Sequence, residues 1–348
     1  MIVFSCKNEE SDIQVFDELY GEGMYVVTDI GVSFYDYQDT TAEVVNRIYN
    51  ITNNTTLNNP KRIKFKGTKA YIIADNNIIK INVKTFQDMG MVSGFVNPVD
   101  FELIRPDDRM FVVDRDDSKL KEVDLERMEI ISDIETGDST SPVFIVSNSY
   151  RSFIVNGGRS SDQTNDSTII VVEYRDNLVP LADLIASIGV GYNPSSAAIT
   201  SAGSGSLKVL CKGVYDLVDP VYNTESSVSS INQYTNELYS TDNLPGIYNA
   251  QNLISNWNNS ICYFTAVGGV YRLNPSNFNV SLVENINASV LRTVVESSIL
   301  NDTTTVYTEM LYMNDDNMPN YIYKYDLDQG LFLDTILVEG NVRDINFY

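Results

Sequence analysis

The side chains available for chemistry in this chain are carboxylates, tyrosines and a few arginines; there is no histidine. Without His, the Ser–His–Asp and Cys–His nucleophiles, the imidazole general base and all His-ligated metal sites are excluded. Asp114, Asp116 and Asp117 crowd one DRDDS stretch, and Asn314, Asp315, Asp316 and Asn317 crowd another. Clustered oxygen ligands suit Ca2+, but neither stretch has the spacing of an EF-hand loop ending in Glu. Solvated turn acids are the simpler reading, and no cofactor or metal is expected. Two carboxylates facing one cleft could also hydrolyse a glycosidic bond. With 47 Asp and Glu in the chain, spacing alone selects no such pair. No phosphate loop, nucleophile elbow or dinucleotide fingerprint occurs.

Groups suited to binding are easier to find. Arg115, Arg159, Tyr192, Tyr215, Tyr222 and Tyr248 fall in or beside connections between strand-like runs. Tyr joins a flat apolar ring to a polar tip, and Arg presents a planar fork of donors. Together they suit a glycan, a conjugated small molecule or a protein surface. The plain alternative is that 22 Tyr must sit somewhere, turns included. Cys211 in KVLCKG and Cys262 in SICYF read as small buried hydrophobes rather than a disulfide. No CxxC pair supports a thiolate zinc site.

The 348 residues carry 24 Lys and Arg against 47 acids, a net charge of −23, with 43 % hydrophobic and 20 % charged residues. That is a globular composition. The acidic balance argues against nucleic acid as a partner, since phosphate binding needs clustered cations. No apolar run is long enough to cross a membrane as a helix.

These residues are positioned by a repeat. An apolar run closing in a polar turn residue reads YVVTD at 25–29, YIIAD at 71–75, MFVVD at 110–114 and SFIVN at 152–156, with a weaker YFTAV at 263–267. An alternating phrase follows: VSFYD at 32–36, IIKIN at 78–82, LKEVD at 120–124, VYRLN at 270–274 and YIYKYD at 321–326. Period-two alternation of Val, Ile, Tyr and Phe closed by Asp or Asn predicts strands and turns. Asn59-Pro60, Asn97-Pro98, Ser141-Pro142 and Asn193-Pro194 each precede a further strand, with looser copies near Pro245, Asn287 and Asn341. Blades of about 40–50 residues fit this spacing.

The expected fold is therefore all-β, a seven-bladed β-propeller in one domain over 24–348. Its blades are 60–97, 98–141, 142–192, 193–244, 245–286 and 287–340, plus a composite of 24–58 closed by the C-terminal GNVRDINFY. Residues 180–189 have helical spacing and are read as a strand or a short helical insert. Three middle loops look long, 157–166, 213–225 and 313–320, and the connections on the opposite face look mostly short. Trp257 is expected on the opposite face, as packing.

The phrases resemble the YVTN-type seven-bladed propellers of bacterial surface proteins over most of 24–348. In that family the inner strands line a central channel, and the middle loops share one face with the blade-to-blade connections. Ligands and partners are expected there. The resemblance implies a monomeric, non-enzymatic module that captures a nutrient, a corrinoid being one option, or caps an outer-membrane transporter. A carboxylate- and Tyr-based lyase or glycosidase, or an adhesive protein, are the alternatives. Val3-Phe4-Ser5-Cys6 resembles the end of a lipoprotein signal, and Lys7 with Glu9, Glu10 and Asp12 resembles the surface-export signal of Bacteroidota lipoproteins. Only five residues precede Cys6, so the start is expected upstream. Cys6 would be lipidated, 1–23 would be signal remnant and tether, and the protein would be lipid-anchored at the outer membrane.

Overall fold

The computed structural model describes residues 18–39, 41–104, 108–137, 140–158, 165–174, 182–201, 206–300 and 304–348. Two strands come first, β1 (Met24–Thr28) and β2 (Gly31–Tyr35). Six four-stranded meanders follow. They are β3 (Pro60–Lys66), β4 (Lys69–Ala74), β5 (Asn77–Asn82) and β6 (Asp88–Val92); β7 (Pro98–Ile104), β8 (Arg109–Asp114), β9 (Lys119–Asp124) and β10 (Glu129–Glu135); β11 (Pro142–Ser147), β12 (Arg151–Asn156), β13 (Thr168–Tyr174) and β14 (Ala182–Gly189). Next come β15 (Pro194–Ile199), β16 (Ser206–Cys211), β17 (Ser227–Asn232) and β18 (Leu238–Asn243); β19 (Gln251–Ser255), β20 (Cys262–Ala266), β21 (Gly269–Leu273) and β22 (Val280–Glu284); and β23 (Leu291–Leu300), β24 (Thr304–Asp315), β25 (Met318–Asp326) and β26 (Leu331–Leu337). The last strand, β27 (Val342–Phe347), pairs antiparallel with β1, matching Met24 to Phe347 and Val26 to Ile345. The seven sheets make a seven-bladed β-propeller closed by its C-terminal strand. Closure leaves no open seam between first and last blade.

The first strands open at Pro60, Pro98, Pro142 and Pro194 and one residue after Asn341, whereas β19 and β23 open several residues beyond the looser landmarks near Pro245 and Asn287. At Pro60, Pro98, Pro142 and Pro194 the register then shifts by one residue. Proline has no N–H to give the ladder, and the first position of a strand tolerates that loss. In five blades the residue before the first strand accepts a main-chain bond from the residue just after the second strand. The pairs are Asp75 N to Asn59 O, Arg115 N to Asn97 O, Gly157 N to Ser141 O, Lys212 N to Asn193 O and Asp29 N to Asn341 O. This repeated bond shows that the recurring Asp and Asn are not all equivalent. Asp29 and Asp75 stand one residue beyond the place held by Asp114 and Asn156.

Among the described residues the composite blade has three strands rather than four. After Tyr35, Asp36 and Asp39 fold the chain into turns by accepting the N–H groups of Gln38 and Thr41. Only one bridge, Phe34 with Val45, stands where the outer strand would be. A short helix, α1 (Ile48–Asn53), buries Ile48 and Tyr49 instead. The stretch from 182 to 189 is a strand, β14. Apolar clusters fill the spaces between blades, as where Tyr71 and Ile73 meet Phe101, Met110 and Val112. Each side chain of that size contributes about 1.5–3 kcal/mol when fully buried.

Candidate functional site

The first strands enclose a central channel of about 850 Å3. Residues alternate in and out along a strand, so the residues two and four positions after each landmark proline, and after Val342 in β27, fall on one side of the strand. Of these, Arg62 and Lys64 on β3, Asp100 and Glu102 on β7, Phe144 and Val146 on β11, Ala198 on β15, and Asp344 and Asn346 on β27 line the channel. Asn252 and Ile254 on β19 and Arg292 on β23 complete the wall.

Several of these groups tie neighbouring blades together. Asp344 Oδ2 accepts the N–H of Ile63 at 3.0 Å, Asp100 Oδ2 that of Ile145 at 3.2 Å, and Ser196 Oγ that of Leu253 at 2.9 Å. The same strand position thus holds the next blade in three places. The acids also hold cations: Arg62 Nη1 lies 3.2 Å from Asp344 Oδ1, and Lys64 Nζ lies 3.1 Å from Asp100 and 2.9 Å from Glu102. Burial raises the Glu102 carboxyl above its ordinary value, with Lys64 pulling the other way. Burial pushes the Arg292 guanidinium below its ordinary value. Its Nη2 donates to Asn346 Oδ1 at 2.5 Å.

The rim residues lie elsewhere. Arg115 sits in the turn between β8 and β9 and pairs with its neighbour Asp116 at 3.1 Å. Tyr192, Tyr215, Tyr222 and Tyr248 gather on the connections around β16 and β17. The Tyr215 and Tyr248 rings are 6.1 Å apart, and Tyr222 rides a 3-10 turn, Pro220–Tyr222, with 70 % of its surface exposed. The loop carrying Tyr222 is braced from within. Asp216 Oδ1 accepts the N–H groups of Val218 and Asp219, and Asn223 Oδ1 accepts that of Asp216. Leu217, Val218 and Val221 stand almost fully exposed at its tip. Arg115 is on another blade and does not join the tyrosines. None of the five lines the channel. Arg159 and Cys6 lie outside the described residues, as does most of the loop from 157 to 166.

Three expectations need correction. The stretch 313–320 is not a long loop: β24 and β25 run through it and leave a tight turn at Asp316–Asn317. The opposite face is not uniformly short, because β23 and β24 form a long hairpin toward it. Trp257 lies on that face but is 69 % exposed rather than packed, its N–H donating to Glu309.

The acidic clusters have structural duties. Asp114 is fully buried, accepts the N–H groups of Val96 and Asn97, and pairs with Lys121 at 2.9 Å, which also holds Asp117. Asn314 accepts the N–H groups of Ser289 and Val290. Each clamps the connection into the next first strand. Cys211 and Cys262 are free and buried in second strands, and burial pushes both thiols up to about 12. A thiol so shifted is an inert packing group at neutral pH.

Four of the channel charges, Arg62, Lys64, Asp100 and Glu102, were missed in the sequence although they stand two and four residues after a landmark proline.

No protein-family model matches the chain, and no curated protein matches it. Solved structures do. The periplasmic gluconolactonase of Pseudomonas aeruginosa is similar, with a TM-score of 0.66 and 12 % identity, over 94 % of this chain and 98 % of that one. A functionally unknown protein of Desulfotomaculum acetoxidans gives 0.65 and 12 %, covering 94 % and 99 %. Hydrazine synthase of Kuenenia stuttgartiensis gives 0.61 and 14 %, covering 88 % and 91 %. At such identities the likeness establishes one thing, the seven-bladed propeller fold.

Proposed function

We propose that the protein is a non-enzymatic binding module, a lipid-anchored propeller at the outer membrane that captures a small molecule or glycan, or docks a partner such as a transporter. The observation that carries this reading is the engagement of the channel acids. Asp100 and Asp344 each give both oxygens to main-chain N–H groups and to a cation of the wall. They are therefore braces, not a facing pair poised for hydrolysis. The channel volume falls within the usual range for small-molecule sites, about 300–1,000 Å3.

Residues 18–20 support the anchored orientation. Leu19 and Tyr20 donate their N–H groups to Lys84 O in the connection between β5 and β6, on the face opposite the tyrosine rim. A tether leaving there would turn the tyrosine rim away from the membrane. Cys6→Ser is expected to move the protein from the membrane fraction to the soluble one. A Cys6→Ser protein that still sediments with membranes would remove the anchor from this reading.

The binding arm is tested by thermal-shift titration with corrinoids and neutral glycans, with gluconolactone and glycoside turnover followed alongside. Binding without turnover supports the proposal, and turnover at enzymatic rates overturns it. For the ligand that binds, Ala at Arg159, Tyr215 and Tyr222 together is expected to weaken it by more than about 1 kcal/mol while leaving the melting temperature nearly unchanged. Normal binding by that variant, with loss on changing Trp257, would place the site on the other face.

A second reading, catalysis, rests on Glu102 alone. Its carboxyl is raised by burial, and Lys64 engages only Oε1. A raised carboxyl in a channel is what a general acid requires, and the turnover arm decides between the two.

A further inference from the structure

We propose that the central channel takes an amphiphilic monocarboxylate, its anionic head held by Arg292 and its apolar body lying along β11, β15 and β19. This rests on reading the molecule as a binder, and it adds a chemical class and an anchoring residue in the channel rather than on the rim.

The channel wall is divided. The first strands β23, β27, β3 and β7 are neighbours around the closure and carry all eight charged residues of its described lining, Arg292 and the acids Asp100, Glu102 and Asp344 among them. The facing strands β11, β15 and β19 carry no charged residue of the described lining and present Phe144, Val146, Ala198 and Ile254 beside the uncharged Ser147, Asn252 and Ser255. A solute that is charged at one end and apolar at the other matches both halves. A uniformly polar one leaves the second half unmatched, because apolar surface is stabilised by apolar contact.

Among the charged residues, Lys66 pairs with Asp108 and Arg343 donates to Asn59 Oδ1 and Pro60 O, while Arg292 stands apart. Arg62 has Asp344, and Lys64 has Asp100 and Glu102. Arg292 has the amide oxygen of Asn346, and among the described residues no carboxylate lies within ion-pair distance of it. A guanidinium offers five N–H donors in a fixed fork, so most of that fork is available to the channel. Burial works against its charge and Arg62 adds repulsion, and Asp344, Glu102 and Asp100 together only partly offset the two. A carboxylate accepting two of those N–H bonds would supply both the missing charge and the missing acceptors. The surroundings also limit the charge of the guest. Asp100, Glu102 and Asp344 share the wall, and the chain carries −23. A dianion would meet repulsion that a single carboxylate does not.

The test is titration calorimetry on the full chain, with octanoate as the probe and octanamide as its neutral counterpart of the same length. Octanoate is expected to bind at least about tenfold more tightly than octanamide, a gap of about 1.4 kcal/mol. Arg292→Gln should abolish that preference, Arg292→Lys should keep part of it, and Phe144→Ala should weaken acid and amide alike. Removing an uncompensated charge should also leave the Arg292→Gln melting temperature equal or higher, so folding is checked in the same sample. Equal affinities for acid and amide, no binding of octanoate, or an Arg292→Gln protein that keeps the preference would each overturn the proposal. A protein that binds a neutral glycan yet shows no preference for octanoate loses this inference and keeps the broader one.

Discussion

Deleting residues 341–348 is expected to destroy the cooperative fold or to cost at least about 3–5 kcal/mol, the scale of a large core truncation. The segment supplies β27, whose backbone pairs with β1 and whose Val342 and Ile345 are buried against Met24, Val26, Met310 and Tyr312. Tyr348 and Gly23 also exchange a reciprocal pair of main-chain bonds at 3.1 Å each. Without β27, β1 becomes a bare edge inside the ring, the arrangement that invites strand pairing between molecules. Asp344 and Asn346 leave with it, freeing Ile63 from its two inter-blade bonds. The truncated chain should therefore elute as aggregate in size-exclusion chromatography and melt well below the parent. Ile345→Ala, which keeps the strand, should cost about 2–4 kcal/mol by chemical denaturation. A monomeric truncation with the parent melting temperature would contradict closure by β27.

The fold was legible because the blade repeat is written in side-chain alternation, which physics reads directly. Val, Ile and Tyr at every second position bury one face, and the prolines fall at strand starts where a missing N–H costs little. The composite closure was legible for the same reason: GNVRDINFY shares with the opening of β7 an Asn before the strand, an Asp two residues into it and alternating apolar positions after that Asp. The one-residue slip between YIIAD and MFVVD was not legible. An acid at either of two adjacent positions can cap the same connection, so the letters alone do not fix the register. The missing fourth strand of the composite blade was hidden similarly, since Asp36 and Asp39 fold their own turns before any alternation can develop. The channel was harder still. Its positions repeat, but their identities do not, running Lys64, Glu102, Val146, Ala198 and Asn346 around the ring. Only closure brings Asp344 beside Arg62, across nearly the whole chain. Rim tyrosines drew notice by residue type, whereas the partnering of Arg62 and Lys64, and the lack of an acidic partner for Arg292, exist only in three dimensions.

Asp344→Ala should be the most damaging single change in the channel, at about 3 kcal/mol, because removing one member of a buried pair leaves the other without compensation. Asp344 is almost wholly enclosed and does two jobs at once: Oδ1 faces Arg62 Nη1 at 3.2 Å and Oδ2 accepts Ile63 N–H at 3.0 Å. Its loss leaves that N–H buried without its acceptor. Arg62 and Arg292 would then repel each other with their nearest shared anion gone. Asp344→Asn separates the two effects, since an amide oxygen can still accept from Ile63 but cannot neutralise Arg62. It should recover part of the loss, and recover it more fully at high salt, where the remaining repulsion is screened. Pairing Asp344→Leu with Arg62→Leu should cost less than Asp344→Ala alone, because apolar replacement of both partners removes the unpaired charge. Urea melts of the four proteins at two salt concentrations read all of this. An Asp344→Ala protein within about 0.5 kcal/mol of the parent, the range of an ordinary surface change, would mean that Asp344 is not the brace that joins the last strand to the first complete blade.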